Sequence, residues 1–282
     1  MPTFRRPPKQ TVAGFSLVEL AIVLLVVTLM ISSLLYTLSA QTEQRNFEDT
    51  RRRLEQAREL VLAYAIVNGR LPCPARSTSA GAEVRNAAGE CKDAANVEDY
   101  YGGALAGGAV GGFLPAVTIG FPTVDAAGFA LDAWQNRIRY AVAKTVTNCS
   151  GAFTNPHFVN ATNLKGNGMS CQPNDLLICK STAVTPAISA ASCGGTPAGS
   201  NQIMSQSLVA AIIFSTGKNT TTTGGTGADE AANLNGGGNA DPIFVFHTPA
   251  PSGATGGEFD DQFTWITVGE LYGKLIAAGV LP

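Results

Sequence analysis

Glu19 is the only charged side chain between residues 15 and 40, a stretch in which 19 of 26 residues are apolar. A carboxylate in such a run is costly to desolvate, and inside a bilayer a charge of this kind marks function by default. Gly14 and Phe15 stand just before it, at the junction with a basic head that carries Arg5, Arg6 and Lys9 and no acid. The other reactive groups are six cysteines, Cys73, Cys91, Cys149, Cys171, Cys179 and Cys193, all beyond residue 70. An even number confined to one region reads as up to three disulfides, and sequence alone does not choose among the connectivities. The reading adopted is local pairing, Cys73–Cys91, Cys149–Cys171 and Cys179–Cys193. Zinc is the rival, weakened by the absence of a C-x-x-C spacing and by only two histidines, His157 and His247. Neither histidine lies in a recognisable catalytic setting, and no G-x-S-x-G elbow occurs. Thr216-Gly-Lys-Asn-Thr220 resembles a phosphate loop only in its Gly-Lys pair, because Ile212 stands where a glycine is required. The chain is therefore not expected to be an enzyme.

The elements that must position these residues follow from charge and periodicity. Only 14% of the 282 residues are charged and the net charge is −2, which excludes charge-driven disorder and a basic nucleic-acid surface. Residues 15–40 have the length and composition of a membrane-spanning helix, and the basic residues before it predict a cytoplasmic N-terminus. No proline occurs between Pro8 and Pro72 and no glycine between Gly14 and Gly69, so the helix is expected to continue to about Asn68. In residues 41–70, Phe47, Leu54, Ala57, Val61 and Tyr64 fall on one face, making this stretch amphipathic. Arg51-Arg52-Arg53 is read as a solvated face. Residues 71–282 carry ten Lys/Arg against fifteen Asp/Glu and read as short strands between Gly/Ser/Thr/Asn-rich loops. Expected strands are 137–146, 176–180, 208–215, 243–247 and 262–267, with a closing helix at 269–278. The glycine-rich stretches 102–112 and 217–238 read as surface loops.

The string Thr11-Val-Ala-Gly14-Phe15-Ser-Leu-Val-Glu19-Leu-Ala-Ile-Val, behind its basic leader, closely resembles the class III signal of type IV pilins and type II secretion pseudopilins. The resemblance implies that prepilin peptidase cuts after Gly14, that Phe15 becomes a methylated N-terminus, and that Glu19 pairs with the N-terminal amine of a neighbouring subunit. It is carried further by Leu131-Asp-Ala-Trp134-Gln-Asn-Arg-Ile-Arg-Tyr140, similar to a D-x-W-G-N-x-x-x-Y element of pseudopilins with Gln135 in place of the glycine. Gly256-Gly-Glu-Phe-Asp260-Asp261-Gln-Phe-Thr-Trp265 resembles the loop before the final strand of major pseudopilins, where acids can bind calcium. Glu258, Asp260 and Asp261 supply only part of the oxygen set calcium takes, and solvated acids in a glycine-rich turn are the preferred reading. No cofactor is expected.

The expected fold is accordingly α+β and pilin-like: a long N-terminal helix, half transmembrane and half amphipathic, packed on an antiparallel β-sheet head. The expected divisions are a cleaved leader (1–14), a transmembrane and assembly helix (15–40), its amphipathic continuation (41–70) and a disulfide-containing head (71–282). The expected function is a structural subunit, by its size a minor pilin, of a type IV pilus or pseudopilus. The expected placement is the inner membrane with the head in the periplasm, then the filament. Expected partners are prepilin peptidase, other pilins or pseudopilins, the inner-membrane assembly machinery and the lipid bilayer, with no nucleic acid. The alternative is a membrane-anchored binding or adhesion protein, or, less in keeping with the residues, a hydrolase.

Overall fold

The computed structural model describes residues 16–147, 149, 156–189, 191–220, 227–234, 242–254 and 257–281, the side chains of residues 33–40 excepted. In chain order the elements begin with α1 (Leu17–Asn68), the hairpin β1 (Gly103–Ala104) and β2 (Val110–Gly111), and α2 (Ala116–Ile119). Then come β3 (Arg139–Val142), β4 (Val146–Thr147), α3 (Ala161–Asn167), β5 (Gln172–Pro173), β6 (Leu177–Cys179) and β7 (Gln202–Met204). The chain closes with β8 (Val209–Ser215), α4 (Ala228–Asn233), β9 (Ile243–Val245), β10 (Gln262–Thr267) and α5 (Val268–Ala277). It divides into two units, Met1–Asn46 and Phe47–Pro282.

Two expectations are corrected. Among the described residues no helix is long and apolar enough to cross a membrane. The transmembrane half, and the inner-membrane placement with a periplasmic head that rested on it, lose their support. Nor is a long helix laid along one antiparallel sheet. Among the described residues the strands form four small sheets, and in one of them, β7-β6-β9, strands β6 and β9 run parallel. Strands this short offer little surface for a helix to lie along. From Phe47 onward α1 is tied instead to the loop Leu131–Ala133, to Glu83 through Tyr64, and to Glu270 of α5 through Arg58.

The centre of the second unit is the antiparallel sheet β10-β8-β3. Strand β8 reads Val-Ala-Ala-Ile-Ile-Phe-Ser and is buried along its whole length, as a strand flanked on both sides and covered on both faces must be. Ile212 stands opposite Trp265 of β10 and opposite Ala141 of β3. The buried face of α1 (Leu54, Ala57, Val61, Ala65) joins this core together with Tyr140 and with Leu271 and Leu275 of α5. Gly69, at φ +67°, ends α1, a left-handed position that suits glycine. Thr267 caps α5 by accepting from the Glu270 backbone N–H at 3.3 Å. The 102–112 stretch, expected to be a loop only, contains the β1–β2 hairpin, and the 217–238 stretch contains α4.

The tightest local structure is the turn that enters β3. Asp132 is 0% exposed. Its Oδ1 accepts from the backbone N–H groups of Trp134 (2.9 Å) and Asn136 (2.8 Å), and its Oδ2 accepts from the Ser215 hydroxyl at 2.6 Å. Arg53 donates to the carbonyls of Leu131 (2.9 Å) and Asp132 (2.7 Å), and the Ala133 N–H donates to Thr50 Oγ1 at 3.1 Å. Arg53 thus leaves the solvated arginine face that was expected, whereas Arg51 and Arg52 remain exposed. Asp132→Ala leaves three donors unpaired in the interior, at about 1–3 kcal/mol each. The expected outcome in urea denaturation is a loss of about 3 kcal/mol or more. A loss below about 1 kcal/mol would show that the turn holds without its carboxylate.

Candidate functional site

At the start of α1, the Ser16 N–H donates to Glu19 Oε2 at 2.9 Å and the Glu19 N–H donates to Ser16 Oγ at 3.2 Å. This is a capping box, in which two of the orphan donors at a helix N-terminus are satisfied reciprocally. The signal, S-x-x-E before an apolar run, stood in the sequence, where Glu19 was read only as an assembly charge. Its carboxylate therefore has an intrachain duty: it starts the helix. Gly14 and Phe15 lie outside the described residues. Behind the cap, twelve large apolar side chains from Leu17 to Ile31 are between 42% and 86% exposed.

A second constellation lies in the other unit. Asp260 and Asp261 lead into β10, and Glu230 projects from α4 beside them, their ligand oxygens all within 4.8 Å of one another. The reading of solvated acids is corrected here, since Asp260 and Asp261 are each 3% exposed. Glu258 is not part of the group; its carboxylate faces Lys218 Nζ at 3.6 Å. Glu230 takes its place, and nothing in its spacing announced it, because a separate helix brings it across about thirty residues of chain.

Hydrogen bonds fix the three carboxylates. The Asp260 N–H donates to Glu230 Oε1 (2.8 Å), the Lys218 N–H to Asp260 Oδ2 (3.1 Å) and Asn233 Nδ2 to Asp261 Oδ2 (2.7 Å). Asn233 is itself locked to Val245 of β9 through both its N–H and its carbonyl. Asp260 Oδ1 is buried without a partner. It lies against Gly217, where an added Cβ would stand 1.6 Å from it, so only glycine fits. Burial, together with the neighbouring Glu230 and Glu258, pushes the Asp260 carboxyl up to about 7. Burial likewise holds Asp261 well above the usual carboxylate range.

Three hard oxygen donors and one orphaned oxygen fit a calcium-type cation, with backbone or water oxygens completing the set. Without a cation, the folded state takes up protons here that the unfolded chain would release at neutral pH. That contribution to stability is full at low pH and is lost as the pH rises through about 7. In chelator, the melting temperature is expected to be higher at pH 5 than at pH 8, and Asp260→Asn should flatten the difference. Calcium at pH 8 should restore the loss. Identical melting with calcium and with chelator at pH 8 would remove the metal reading.

The remaining candidates are structural. The cysteines are joined as Cys73–Cys91, Cys149–Cys171 and Cys179–Cys193, closing short local loops. His157 is buried, with Nε2 at 3.1 Å from the Tyr272 hydroxyl, and burial pulls its imidazole down to about 4. The His247 ring has Nδ1 at 2.7 Å from the Thr248 carbonyl and Nε2 at 3.4 Å from Asp229. Asp229 also accepts from Thr182. With both ring nitrogens of His247 engaged in this way, the order is threonine–aspartate–histidine, not that of a nucleophile activated by an imidazole. No protein-family description, curated protein or solved structure matches the chain.

Proposed function

We propose that the chain is a pilin-like structural subunit, cut after Gly14 by a peptidase of the prepilin type and assembled into a pilus or pseudopilus through the first turns of α1. One observation carries the reading: directly behind the Gly14-Phe15 pair, the first turns of α1, from Leu17 to Ile31, present exposed apolar side chains with Glu19 as the sole charge of that stretch. Burying apolar area is worth about 25 cal/mol per Å², and contiguous exposed patches of this kind are docking surfaces. Copies of the chain, or related subunits, are the partners that present the same surface. Glu19 has two duties in this reading. In the single chain it caps its own helix, and in the assembly its carboxylate meets the amine that cleavage creates at Phe15.

Intact-mass measurement on the chain isolated from its own cells is expected to show loss of residues 1–14; a chain still beginning at Met1 would overturn the proposal. Two substitutions separate the duties of Glu19. Glu19→Gln keeps an acceptor for the cap and removes the charge, whereas Glu19→Ala removes both. Incorporation into filaments, scored by immunoblot of sheared surface material, is expected to fail for both. Normal incorporation of Glu19→Gln would reduce the residue to a helix cap.

A further inference from the structure

A cleft of about 240 Å³ opens between the turn that enters β3 and the turn that follows β8. Its two walls are fastened to each other before any ligand arrives. Asn136 Nδ2 donates to the Gly217 carbonyl at 2.5 Å, and Ser215 donates to Asp132 just behind. The cleft is therefore preformed, which lowers the ordering a ligand must impose.

Arg139 stands in this cleft with its donors largely unspent. Its Nη1 donates to the Gly111 carbonyl at 2.9 Å, and the guanidinium lies 4.2 Å from the centre of the Phe113 ring. Among the described residues no carboxylate comes within ion-pair distance of it. Asp99, whose charge it feels, accepts from the Gly112 N–H at 3.1 Å and lies 3.7 Å from Arg76. Burial pulls the Arg139 guanidinium down to about 10, the mark of a cation with incomplete compensation. Arg137, on the same wall, is already engaged: it pairs with Asp125 at 2.9 Å and covers the Phe129 ring at 4.1 Å.

Gln135 supplies an independent indication. It holds φ +68°, a left-handed conformation that costs a non-glycine residue about 1–2 kcal/mol, and its side chain is exposed at the cleft. Glycine would relieve that strain. Strain retained at a cleft points towards use of the side chain. Thr216 and Thr220 line the opposite wall, where the Thr220 hydroxyl donates to the Thr216 carbonyl at 2.6 Å and meets the Thr216 hydroxyl.

We infer that this cleft binds a small hydroxylated carboxylate of the sugar-acid class, its carboxylate on the Arg139 guanidinium and its hydroxyls on Gln135 and the threonines. The planar fork of arginine matches a carboxylate through two parallel hydrogen bonds. A phosphate dianion fits less well, because Arg139 offers a single positive charge: Arg137 is paired with Asp125 and Arg76 with Asp93. The volume admits one small unit. The inference is independent of the filament reading.

The test is isothermal titration of the full chain, held in detergent micelles, with glucuronate, methyl glucoside and inorganic phosphate. Saturable binding of glucuronate alone is expected, with a Kd of about 1 mM. Arg139→Gln should weaken it at least about tenfold, the loss of a charge-assisted pair. Gln135→Gly should weaken it several-fold while leaving the melting temperature unchanged or raised. Absence of saturable heat with glucuronate would overturn the inference, as would methyl glucoside or phosphate binding equally well. If Arg139→Gln does not fold, Gln135→Gly decides, and unchanged affinity in that variant also overturns it.

Discussion

The carboxylate of Asp132 organises the larger unit. It is fully buried, and an ionised oxygen in that position is tolerated only because backbone N–H groups and a serine hydroxyl reach it. The donors come from different parts of the chain. Trp134 and Asn136 belong to the turn itself, and Ser215 ends the central strand β8. The carbonyls and N–H of the same turn then receive Arg53 and reach Thr50 of α1. One residue therefore sets where the helix meets the body, where β3 starts, and how the turn after β8 is held. The cleft beside Arg139 inherits its shape from the same constraint, because Asn136 fastens Gly217 across it.

The unit handles its buried acids in two contrasting ways. Asp175 resembles Asp132: it accepts from the Tyr101 hydroxyl and from the N–H groups of Lys144, Thr145 and Leu176, so donors surround the charge. Asp260 and Asp261 have fewer donors and lie beside another acid, Glu230, which raises the cost of ionising the two aspartates. The first arrangement is a structural anchor that wants nothing further. The second is unfinished in charge and in hydrogen bonding, the physical condition under which a cation or a proton becomes part of the fold.

The N-terminal unit follows a different logic. Its described side chains bury little, and the local term that starts the helix is the Ser16–Glu19 cap, while the hydroxyls of Thr28 and Ser32 are satisfied by donating back to helix carbonyls. An isolated helix is marginal on such terms, and most helical stability comes from packing of an apolar face. From Phe47 on, the same helix gains that packing from the core, through Leu54, Ala57, Val61 and Ala65.

Much of this was legible in the sequence, for identifiable reasons. Strand β8 announced itself as a run of apolar residues, α5 as the short closing helix expected at 269–278, and the end of α1 by Asn68-Gly69 before Pro72. The amphipathic face of α1 was set by 3.6-residue spacing, a local property that needs no tertiary knowledge. The Gly14-Phe15 pair and the lone charge at Glu19 are likewise facts of the string. Other features required the folded chain. Among the described residues, four small sheets in place of one and a parallel β6–β9 pair are matters of strand pairing. Glu230 joining Asp260 and Asp261, Arg53 leaving its arginine cluster for the Asp132 turn, and Arg139 having no carboxylate at ion-pair distance among the described residues all arise between residues far apart in sequence. Periodicity fixes which face a residue takes on its own element; only the packing of distant elements decides which charges meet and which are left facing a cleft.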